Sequence, residues 1–193
     1  LGKKYKTKYF TFSDEAVSPH SLNDVSEEII KRDVDIKSLA LLKFEKVMDK
    51  ELFEKMKQAG FIFLMYGLES ANDRVLSLID KGTDQNTERE VLEKSHQAGI
   101  WNHSFMFFGF PTETEDEFLE TISFLEDNGN NIDLISTSTF GLQKGTPIYL
   151  NPEKFNVTNI KETKRTVLEP KISYQTNSGL TPDEVKKLKK KSQ

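Results

Sequence analysis

No cysteine occurs among the 193 residues of the sequence. Its absence excludes disulfide bonds, thiol nucleophiles and every metal or iron–sulfur site whose ligands would be thiolates of this chain. Long hydrophobic runs are missing as well, since no stretch approaches the roughly 20 apolar residues that span a bilayer. The first 30 residues also lack the order of basic, apolar and small residues that marks a signal peptide. We therefore expect a cytoplasmic protein with no membrane partner.

Concentrated positive charge is another feature that the sequence lacks. The formal net charge is −4, and the lysines mostly alternate with acidic residues. A protein that binds nucleic acid usually presents a continuous basic face, so we expect no nucleic-acid partner. The lysine-rich residues 186–191 are interpreted as the solvated end of a helix, where positive charge suits the helix dipole. The hydrophobic content of 36% is enough for one buried core.

Segments with strand character alternate with segments of helical periodicity along most of the chain. The predicted strands are residues 9–12, 36–43, 61–66, 104–108 and 132–139. Helices are predicted between and after them at residues 19–31, 49–59, 71–79, 84–98 and 114–128. Strands that are linked by helices form parallel sheets with right-handed crossovers. The sequence therefore predicts an α/β fold with five parallel strands.

Polar residues follow four of the predicted strands directly. They are Ser13, Asp14 and Glu15 after the first strand, Glu45 after the second, Glu69 and Ser70 after the third, and Thr112 and Glu113 after the fourth. A TIM-like barrel gathers the carboxyl ends of its strands into one rim, where such folds carry out their chemistry. We therefore predict a partial TIM-like (βα) barrel over residues 1–152, because five strands are too few to close an eight-stranded barrel.

The remaining residues, 153–193, are predicted to form an irregular C-terminal extension with a terminal helix. Residues 150–178 contain scattered Asn, Pro and Thr and show no sustained period. Thr181, Pro182 and Glu184 then have the pattern of a helix start.

Two segments at predicted strand ends each allow a structural and a functional interpretation. Ser70 could cap the next helix with Asp73 as its partner, or Glu69 could point into the barrel mouth and accept hydrogen bonds from a ligand diol. A turn followed by a capping box explains most of residues 109–114, while Gly109 would also let a ligand approach the backbone closely.

Other candidate motifs are interpreted as structural. Lys81-Gly82-Thr83 lacks the upstream glycine and the strand that a phosphate loop needs, so it is predicted to end a helix. His20, His96 and His103 show no metal-binding spacing, and each is predicted to be an ordinary surface or partly buried histidine.

Five segments together resemble the radical S-adenosylmethionine (SAM) superfamily. They are residues 10–19 (FTFSDEAVSP), 66–70 (YGLES), 75–83 (VLSLIDKGT), 107–114 (FFGFPTET) and 145–149 (GTPIY). Their order and spacing are similar over residues 9–152, and the resemblance is strongest to enzymes that often carry an upstream cobalamin-binding domain.

The resemblance implies a six-stranded partial barrel with SAM lying across the carboxyl ends of the strands, of which this chain would supply the C-terminal five. SAM would ligate a four-iron, four-sulfur (4Fe-4S) cluster, and reduction would release a 5′-deoxyadenosyl radical that abstracts hydrogen from the substrate. By position, Ser13, Asp14 and Glu15 match the segment that meets the SAM amino group, and Glu69 and Ser70 match the ribose position. Gly109, Phe110 and Pro111 match the turn beside the adenine, and Phe140 and Gly141 match the segment whose backbone holds the adenine edge. No catalytic residue and no metal ligand is assigned.

The chain departs from the family pattern in three respects. The first strand and the cluster loop with its three cysteines are absent, so we expect a part of a longer enzyme that is inactive by itself and binds no cofactor alone. SAM and the 4Fe-4S cluster would belong to the full-length enzyme, with cobalamin on an upstream domain as an option. Phe61 stands where many relatives have cysteine, and Thr112 stands where many have glycine, but neither is expected to contact SAM.

Two other classes of function remain open at this point. A metal-dependent TIM-barrel lyase or hydrolase would use Asp14, Glu45 and Glu69 as oxygen ligands for a divalent cation and would need no cysteine. A non-catalytic interaction module would associate through an exposed strand edge. The sequence does not decide between a small-molecule and a peptide substrate, nor between a coproporphyrinogen oxidase-like and a methyltransferase-like subfamily.

Overall fold

The computed structural model describes residues 2–14, 16–164 and 171–191, which fall into two compact units. The first unit comprises Leu1–Met106 and Phe124–Ser136, and the second comprises Phe107–Ser123 and Thr137–Gln193. The chain passes between them inside two strands and one helix.

A parallel sheet carries most of the first unit. Its strands are β1 (Tyr9–Thr11), β2 (Lys37–Leu42), β3 (Phe61–Glu69), β4 (Trp101–Phe108) and β5 (Leu134–Thr139). They are ordered β1-β2-β3-β4-β5, and the first four pair in parallel. Each strand therefore lies beside its neighbour in the chain, which confirms the predicted α/β fold with five strands. In the described residues β1 and β5 are the two end strands of an open sheet.

Helices connect the strands close to where the sequence predicts them. They are α1 (Gly2–Tyr5), α2 (Pro19–Lys31), α3 (Lys50–Gln58), α4 (Asp73–Leu78), α5 (Gln85–Gln97), α6 (Glu115–Asp127), α7 (Pro147–Leu150) and α8 (Pro182–Lys191), with 3-10 turns at Gly129–Asn131 and Pro152–Phe155. Side chains cap several of the starts: Ser18, Asp49 and Asp84 each accept a backbone hydrogen bond from the residue three positions later.

Alternate residues of the sheet lie in different surroundings. Ala40 and Leu42 of β2 and Leu64 of β3 are buried, as the residues of a face covered by helices must be. The intervening residues Leu41 and Met65 are only half-buried, so they face the opposite side of the sheet. In a (βα) barrel this second side faces the interior, and active sites lie at the rim formed by the carboxyl ends of the strands.

Phe61 illustrates how the first unit fills its core. The residue is fully buried at the start of β3, and its ring stacks on that of Phe12 with centroids 5.3 Å apart. Offset stacking of this kind adds to the free energy gained by burying the two rings. The departure from the family pattern at this position is therefore a packing residue.

Asn102 ties α5 and the chain before β5 to the start of β4. Its amide nitrogen donates to the backbone carbonyls of Leu92 (2.9 Å) and Asn131 (2.8 Å), and its amide oxygen accepts from Ser95 at 2.7 Å. The backbone N–H of Asn102 donates to Asp133 at 2.8 Å. A buried amide with these partners costs little to desolvate and fixes the helix against the strand.

The second unit contains an antiparallel hairpin that the sequence analysis did not predict. β6 (Val157–Thr163) pairs with β7 (Lys171–Thr176), so the expectation of irregular structure over residues 150–178 is wrong for these two strands. Most of β6 is exposed and only Val157 is buried. Its sequence therefore lacks the alternation of apolar and polar residues by which a strand is usually predicted. Helix α8 follows, and Thr181 and Glu184 form the capping box expected at its start.

Candidate functional site

β3 continues three residues beyond its predicted end and finishes at Glu69, in an unusual backbone conformation. Glu69 has a φ of 61°, and the N–H of Ser70 donates to the carbonyl of Leu68 at 2.7 Å across it. A hydrogen bond between residues i and i+2 around a positive φ is the geometry of a strained γ-turn. The pairing register with β4 also shifts between Gly67 and Glu69. Such strain persists only where the surrounding structure holds it, and it is concentrated at functional sites.

An ion pair occupies the end of β3. Lys81 Nζ lies 3.1 Å from Glu69 Oε1, and the two side chains are 17% and 27% exposed. Lys81 follows α4, and its N–H donates to the carbonyl of Leu76, so the end of this short helix directs the chain back towards the strand. The sequence analysis treated Lys81 only as part of a helix end, because nothing in its spacing reveals a partner twelve residues earlier.

Gly67 provides the space for this ion pair. A Cβ atom at this position would lie 2.7 Å from Glu69 Oε1 and 2.7 Å from Lys81 Nζ. Both charged groups therefore lie directly over the glycine, on the half-buried side of the sheet. A side chain there would displace these two groups from their positions over the strand.

Ser70 does not cap the following helix as its structural interpretation expected. Asn72 caps α4 by accepting from the N–H of Val75 at 3.1 Å. Ser70 is buried, and its hydroxyl accepts from the N–H of Asn72 at 3.2 Å. The chain turns once more between the strand and the helix than the sequence analysis assumed, which moves the cap by two residues and leaves Ser70 to support the turn.

The segment after β1 contains the other predicted contacts of the first unit. Ser13 and Asp14 are exposed and follow the carboxyl end of β1, as expected from their place in the sequence. Glu15 lies outside the described residues.

The divalent-cation alternative is not supported by the placement of its carboxylates. Residues 2–14, 16–164 and 171–191 contain no group of three or more His, Cys, Asp or Glu side chains that could hold a metal ion. Asp14, Glu45 and Glu69 all belong to the first unit, yet they form no such group. The expected oxygen ligands therefore do not converge, and Glu69 pairs with a lysine.

A tight turn follows β4 in the second unit. Gly109 has a φ of 81°, and its N–H donates to a carboxylate oxygen of Glu113, whose side chain is buried. The N–H of Glu113 donates to the carbonyl of Phe110 at 2.8 Å. Thr112 adopts a φ of 78°, a backbone conformation that favours glycine. The predicted capping box follows, with Glu117 accepting from the N–H of Thr114 at 2.8 Å.

Phe110 and Phe140, predicted on separate motifs, come together in this unit. Their rings are 5.2 Å apart and nearly perpendicular, and Phe140 also contacts Phe107 and Tyr174. The N–H of Phe140 donates to the carbonyl of Phe108 at 2.8 Å. The predicted adenine contacts of the second unit thus share one aromatic cluster, which Pro111 adjoins as a buried residue of the turn.

An open cavity of about 450 Å³ adjoins this cluster. Apolar groups come from Phe107, Phe140 and Ile148, and polar groups come from Ser138, Thr139, Gln143 and Thr146, with Gly141 completing the wall. Aromatic walls with a few hydrogen-bonding groups suit a planar heterocycle.

His103 is a residue of the half-buried sheet side that the sequence analysis set aside. Its Nε2 lies 2.8 Å from the hydroxyl of Ser136, and its ring contacts those of Phe63 and Phe105. Partial burial lowers the pKa of His103, which favours the neutral ring. His103 is therefore partly buried among aromatic neighbours, as the sequence analysis expected of an ordinary histidine.

Comparison with known families agrees with the sequence motifs and the fold. The family model of the radical SAM superfamily matches residues 1–125. The chain therefore belongs to the radical SAM superfamily, a family of enzymes.

Curated relatives of the chain include methylthiotransferases. The ribosomal protein uS12 methylthiotransferase of Caldicellulosiruptor saccharolyticus is 25% identical over 142 residues, which are 71% of this chain and 32% of the relative. The tRNA-2-methylthio-N(6)-dimethylallyladenosine synthase of Shewanella baltica is 27% identical over 115 residues, which are 58% of this chain and 24% of the relative. The chain thus spans no more than about a third of the length of these relatives.

Solved structures show the same fold at low sequence identity. The radical SAM methyltransferase from Kitasatospora setae, solved with cobalamin and a [4Fe-4S] cluster, matches with a TM-score of 0.69 and 15% identity over 88% of this chain and 36% of that protein. Coproporphyrinogen III oxidase from Escherichia coli matches with a TM-score of 0.61 and 11% identity over 95% of this chain and 39% of that protein. These matches confirm the fold class predicted from the sequence.

The residues present fit the two implied cofactors unequally. The family implies SAM and a 4Fe-4S cluster, but the chain has no cysteine thiolate to ligate iron. The aromatic cavity beside Phe140 has walls that suit a planar heterocycle such as an adenine. Within the described residues, no helix combines the length and the apolar character that a membrane span requires.

Proposed function

We propose that this chain supplies SAM-binding residues to a radical SAM enzyme. The observation that carries the proposal is the Glu69–Lys81 pair over Gly67, at the end of the strand whose YGLES motif matches the family's ribose position. Family membership supports this assignment, and the strained φ of Glu69 supports a role for the residue beyond packing.

In the first unit, Glu69 would accept hydrogen bonds from the two hydroxyls of a ribose. A carboxylate has enough lone pairs to accept from a diol while it remains paired with a cation. Lys81 would hold the carboxylate in place and offset its charge, and an ammonium has further donors for an anionic group of the ligand. Ser70 supports the backbone turn, and Ser13, Asp14 and Glu15 are proposed to meet the SAM amino group, as the resemblance implies.

In the second unit, the turn after β4 and the cavity beside Phe140 would hold the adenine. Gly109, Phe110 and Pro111 provide the turn. Phe107 and Phe140 line the cavity with their rings, and the buried Phe110 packs against Phe140. The backbone of Phe140 and Gly141 would offer hydrogen bonds to the adenine edge. Stacking and edge contacts orient a purine without requiring a charged side chain.

The chemistry itself would come from groups that this chain does not hold alone. SAM bound to a reduced 4Fe-4S cluster supplies a 5′-deoxyadenosyl radical, and the thiolates for such a cluster are not in this sequence. We propose that the chain by itself is inactive and contributes ligand positioning. The methylthiotransferase relatives and the methyltransferase neighbour support a group-transfer reaction in a full-length enzyme, and cobalamin is a candidate cofactor there.

Ligand-induced NMR shifts test the proposal directly. No cofactor should remain bound to this chain alone, because the cluster cannot contribute. Millimolar SAM should still bind weakly when it is titrated into the ¹⁵N-labelled protein. The amides of Gly67, Glu69 and Ser70 should shift in the wild type and stay in place in Glu69→Gln. Glu54→Gln, which changes an exposed acid on α3, is the matched control and should respond as the wild type does.

Two results would overturn the assignment. One is the absence of any shift at the end of β3 at millimolar SAM. The other is an equal response in Glu69→Gln, which would show that SAM does not depend on this carboxylate. A titration with Mg²⁺ or Mn²⁺ alone should leave the same amides unchanged, since a response there would favour the divalent-cation alternative.

A further inference from the structure

The segment after β7 packs against the turn that follows β4, within the second unit. Gly179 approaches so closely that a Cβ on it would lie 2.5 Å from the carbonyl carbon of Thr112 and 2.7 Å from the carbonyl oxygen of Glu113. The N–H of Leu180 donates to that same Glu113 carbonyl at 2.7 Å. Gly179 has a φ of 79°, which a residue with a side chain rarely adopts.

Helix α8 makes a second contact with the same turn. Val185 is fully buried, and its Cγ2 would lie 2.8 Å from a Cβ placed on Gly109. The ammonium of Lys189, one helical turn later, lies 5.8 Å from the centre of the Phe108 ring at the end of β4. Val185 therefore contacts the start of the turn at Gly109, and Gly179 contacts its end at Thr112 and Glu113. The hydrogen bond from Leu180 lies at the same end as Gly179.

The turn requires this support because its own backbone is strained. Thr112 is a β-branched residue at a φ of 78°, a backbone conformation that such residues rarely adopt. The buried carboxylate of Glu113 accepts from Gly109 and closes the turn from within. A strained loop keeps a single conformation only when neighbouring groups over-determine it.

We infer that Gly179, Leu180 and Val185 are positioning residues that hold the Gly109–Glu113 turn in its ligand-binding conformation. They touch no ligand themselves and act through the backbone of the turn. Their importance for SAM rests on the proposed function, whereas their effect on the turn does not. The region beyond residue 152, which family motifs do not assign, thereby becomes part of the binding machinery.

Amide hydrogen exchange measures the support independently of any ligand. The variant Val185→Ala removes two methyl groups from the contact with Gly109, and we expect the amides of Gly109, Glu113 and Leu180 to exchange about tenfold faster. Amides of β3 in the first unit should keep their rates. Lys187→Ala, on the exposed side of α8, is the matched control and should leave the turn unchanged. If Val185→Ala does not fold, Val185→Thr tests the same contact differently, because it keeps the shape of the side chain but buries a hydroxyl against the turn.

The SAM titration then separates the two proposals. Shifts at Gly109 and Phe140 should weaken most in Val185→Ala, while those at Gly67 and Glu69 should weaken only in proportion to the lower SAM occupancy. Unchanged exchange of the turn amides in both Val185 variants would overturn the inference, whatever SAM does. Faster exchange with undiminished SAM shifts at Gly109 would also overturn it, because the turn would then need no support to bind. If the wild type shows no SAM shifts but Val185→Ala loosens the turn, the proposed function fails and the structural support stands.

Discussion

Two locations with predicted ligand contacts each place a non-glycine residue at positive φ. One is the carboxyl end of β3, in the first unit, and the other is the turn after β4, in the second unit. Glu69 has a φ of 61° and Thr112 has a φ of 78°. At Glu69 the strained residue carries a charged group that pairs with Lys81 and remains partly exposed. At Thr112 the strained residue carries no charge, and the turn is closed by a backbone hydrogen bond and by the buried Glu113 carboxylate, which accepts from Gly109. The first location therefore presents a side chain, and the second presents a backbone shape.

A buried carboxylate is associated with each location: Glu113 with the turn, and Glu88 with the Glu69–Lys81 pair. The two carboxylates differ in their hydrogen bonding. Glu113 accepts a hydrogen bond from Gly109, so its burial serves the turn. Glu88, on α5, is fully buried, and among the residues that the structure describes neither of its carboxylate oxygens has a hydrogen-bond partner. Burial raises the pKa of Glu88 to about 9, Lys81 lowers it, and the acids Asp73, Asp84 and Glu69 raise it. Glu113 is thus stabilised by a hydrogen bond, whereas Glu88 is protonated at neutral pH.

Replacing Glu88 should give the largest change in stability. The folded protein keeps a proton on Glu88 that the unfolded chain releases near its ordinary pKa of 4.5. The folded state therefore binds more protons between these values, and the free energy of unfolding should fall by about 1.4 kcal/mol per pH unit through neutral pH. Glu88→Gln should remove this dependence and be the more stable protein at high pH, as urea unfolding across a pH series will show.

Glu90→Gln is the matched control for Glu88, because Glu90 lies on the same helix, is exposed and pairs with Lys94. This control should retain the wild-type dependence on pH. A wild-type stability that stays constant through neutral pH would mean that Glu88 is ionised with an unseen partner, and the contrast with Glu113 would disappear.

Glycine substitutions at the two strained residues should separate side-chain function from backbone function. Thr112→Gly removes the strain of a β-branched residue at positive φ, and we expect it to raise the free energy of unfolding by about 1 kcal/mol. Glu69→Gly should relieve similar strain but lose the ion pair, so its net effect on stability should be smaller. Urea unfolding measures both, and SAM-induced NMR shifts should persist in Thr112→Gly and vanish in Glu69→Gly.

Equal losses of the SAM response in both variants would contradict this distinction. Such a result would mean that the Thr112 side chain, and not only the path of the backbone, takes part in ligand binding. A destabilised Thr112→Gly would show that the side-chain contacts of Thr112 outweigh the strain of its backbone.

The sequence predicted the parts of this arrangement that depend on local chemistry. The capping boxes at Thr114 and Thr181 and the order of strands and helices follow from residue types at short spacing. Polar residues after strands led to Glu69 and to the turn at Gly109. What local patterns could not show is the contact between residues far apart in the chain, such as Lys81 with Glu69.

The C-terminal region likewise depends on contacts between residues that are far apart in the chain. β6 and β7 carry mainly polar residues, so their pairing depends on a partner strand and not on a visible period. Gly179 looks like an ordinary loop glycine in the sequence, and only the fold places it against Thr112. The interpretation of Ser70 as a helix cap is wrong, because the residue pattern does not show the extra turn before Asn72.

Lys81→Met should have the smallest effect on stability and still change the ligand response. The ion pair with Glu69 is partly exposed, so its loss should lower the free energy of unfolding by less than about 1 kcal/mol. The uncompensated Glu69 should bind SAM more weakly, with smaller shifts at Gly67. Because Lys81 also lowers the pKa of Glu88, the ionisation of Glu88 should move to higher pH in this variant. A loss of several kcal/mol with an unchanged SAM response would show instead that the pair serves the fold, and the end of β3 would then resemble the turn after β4.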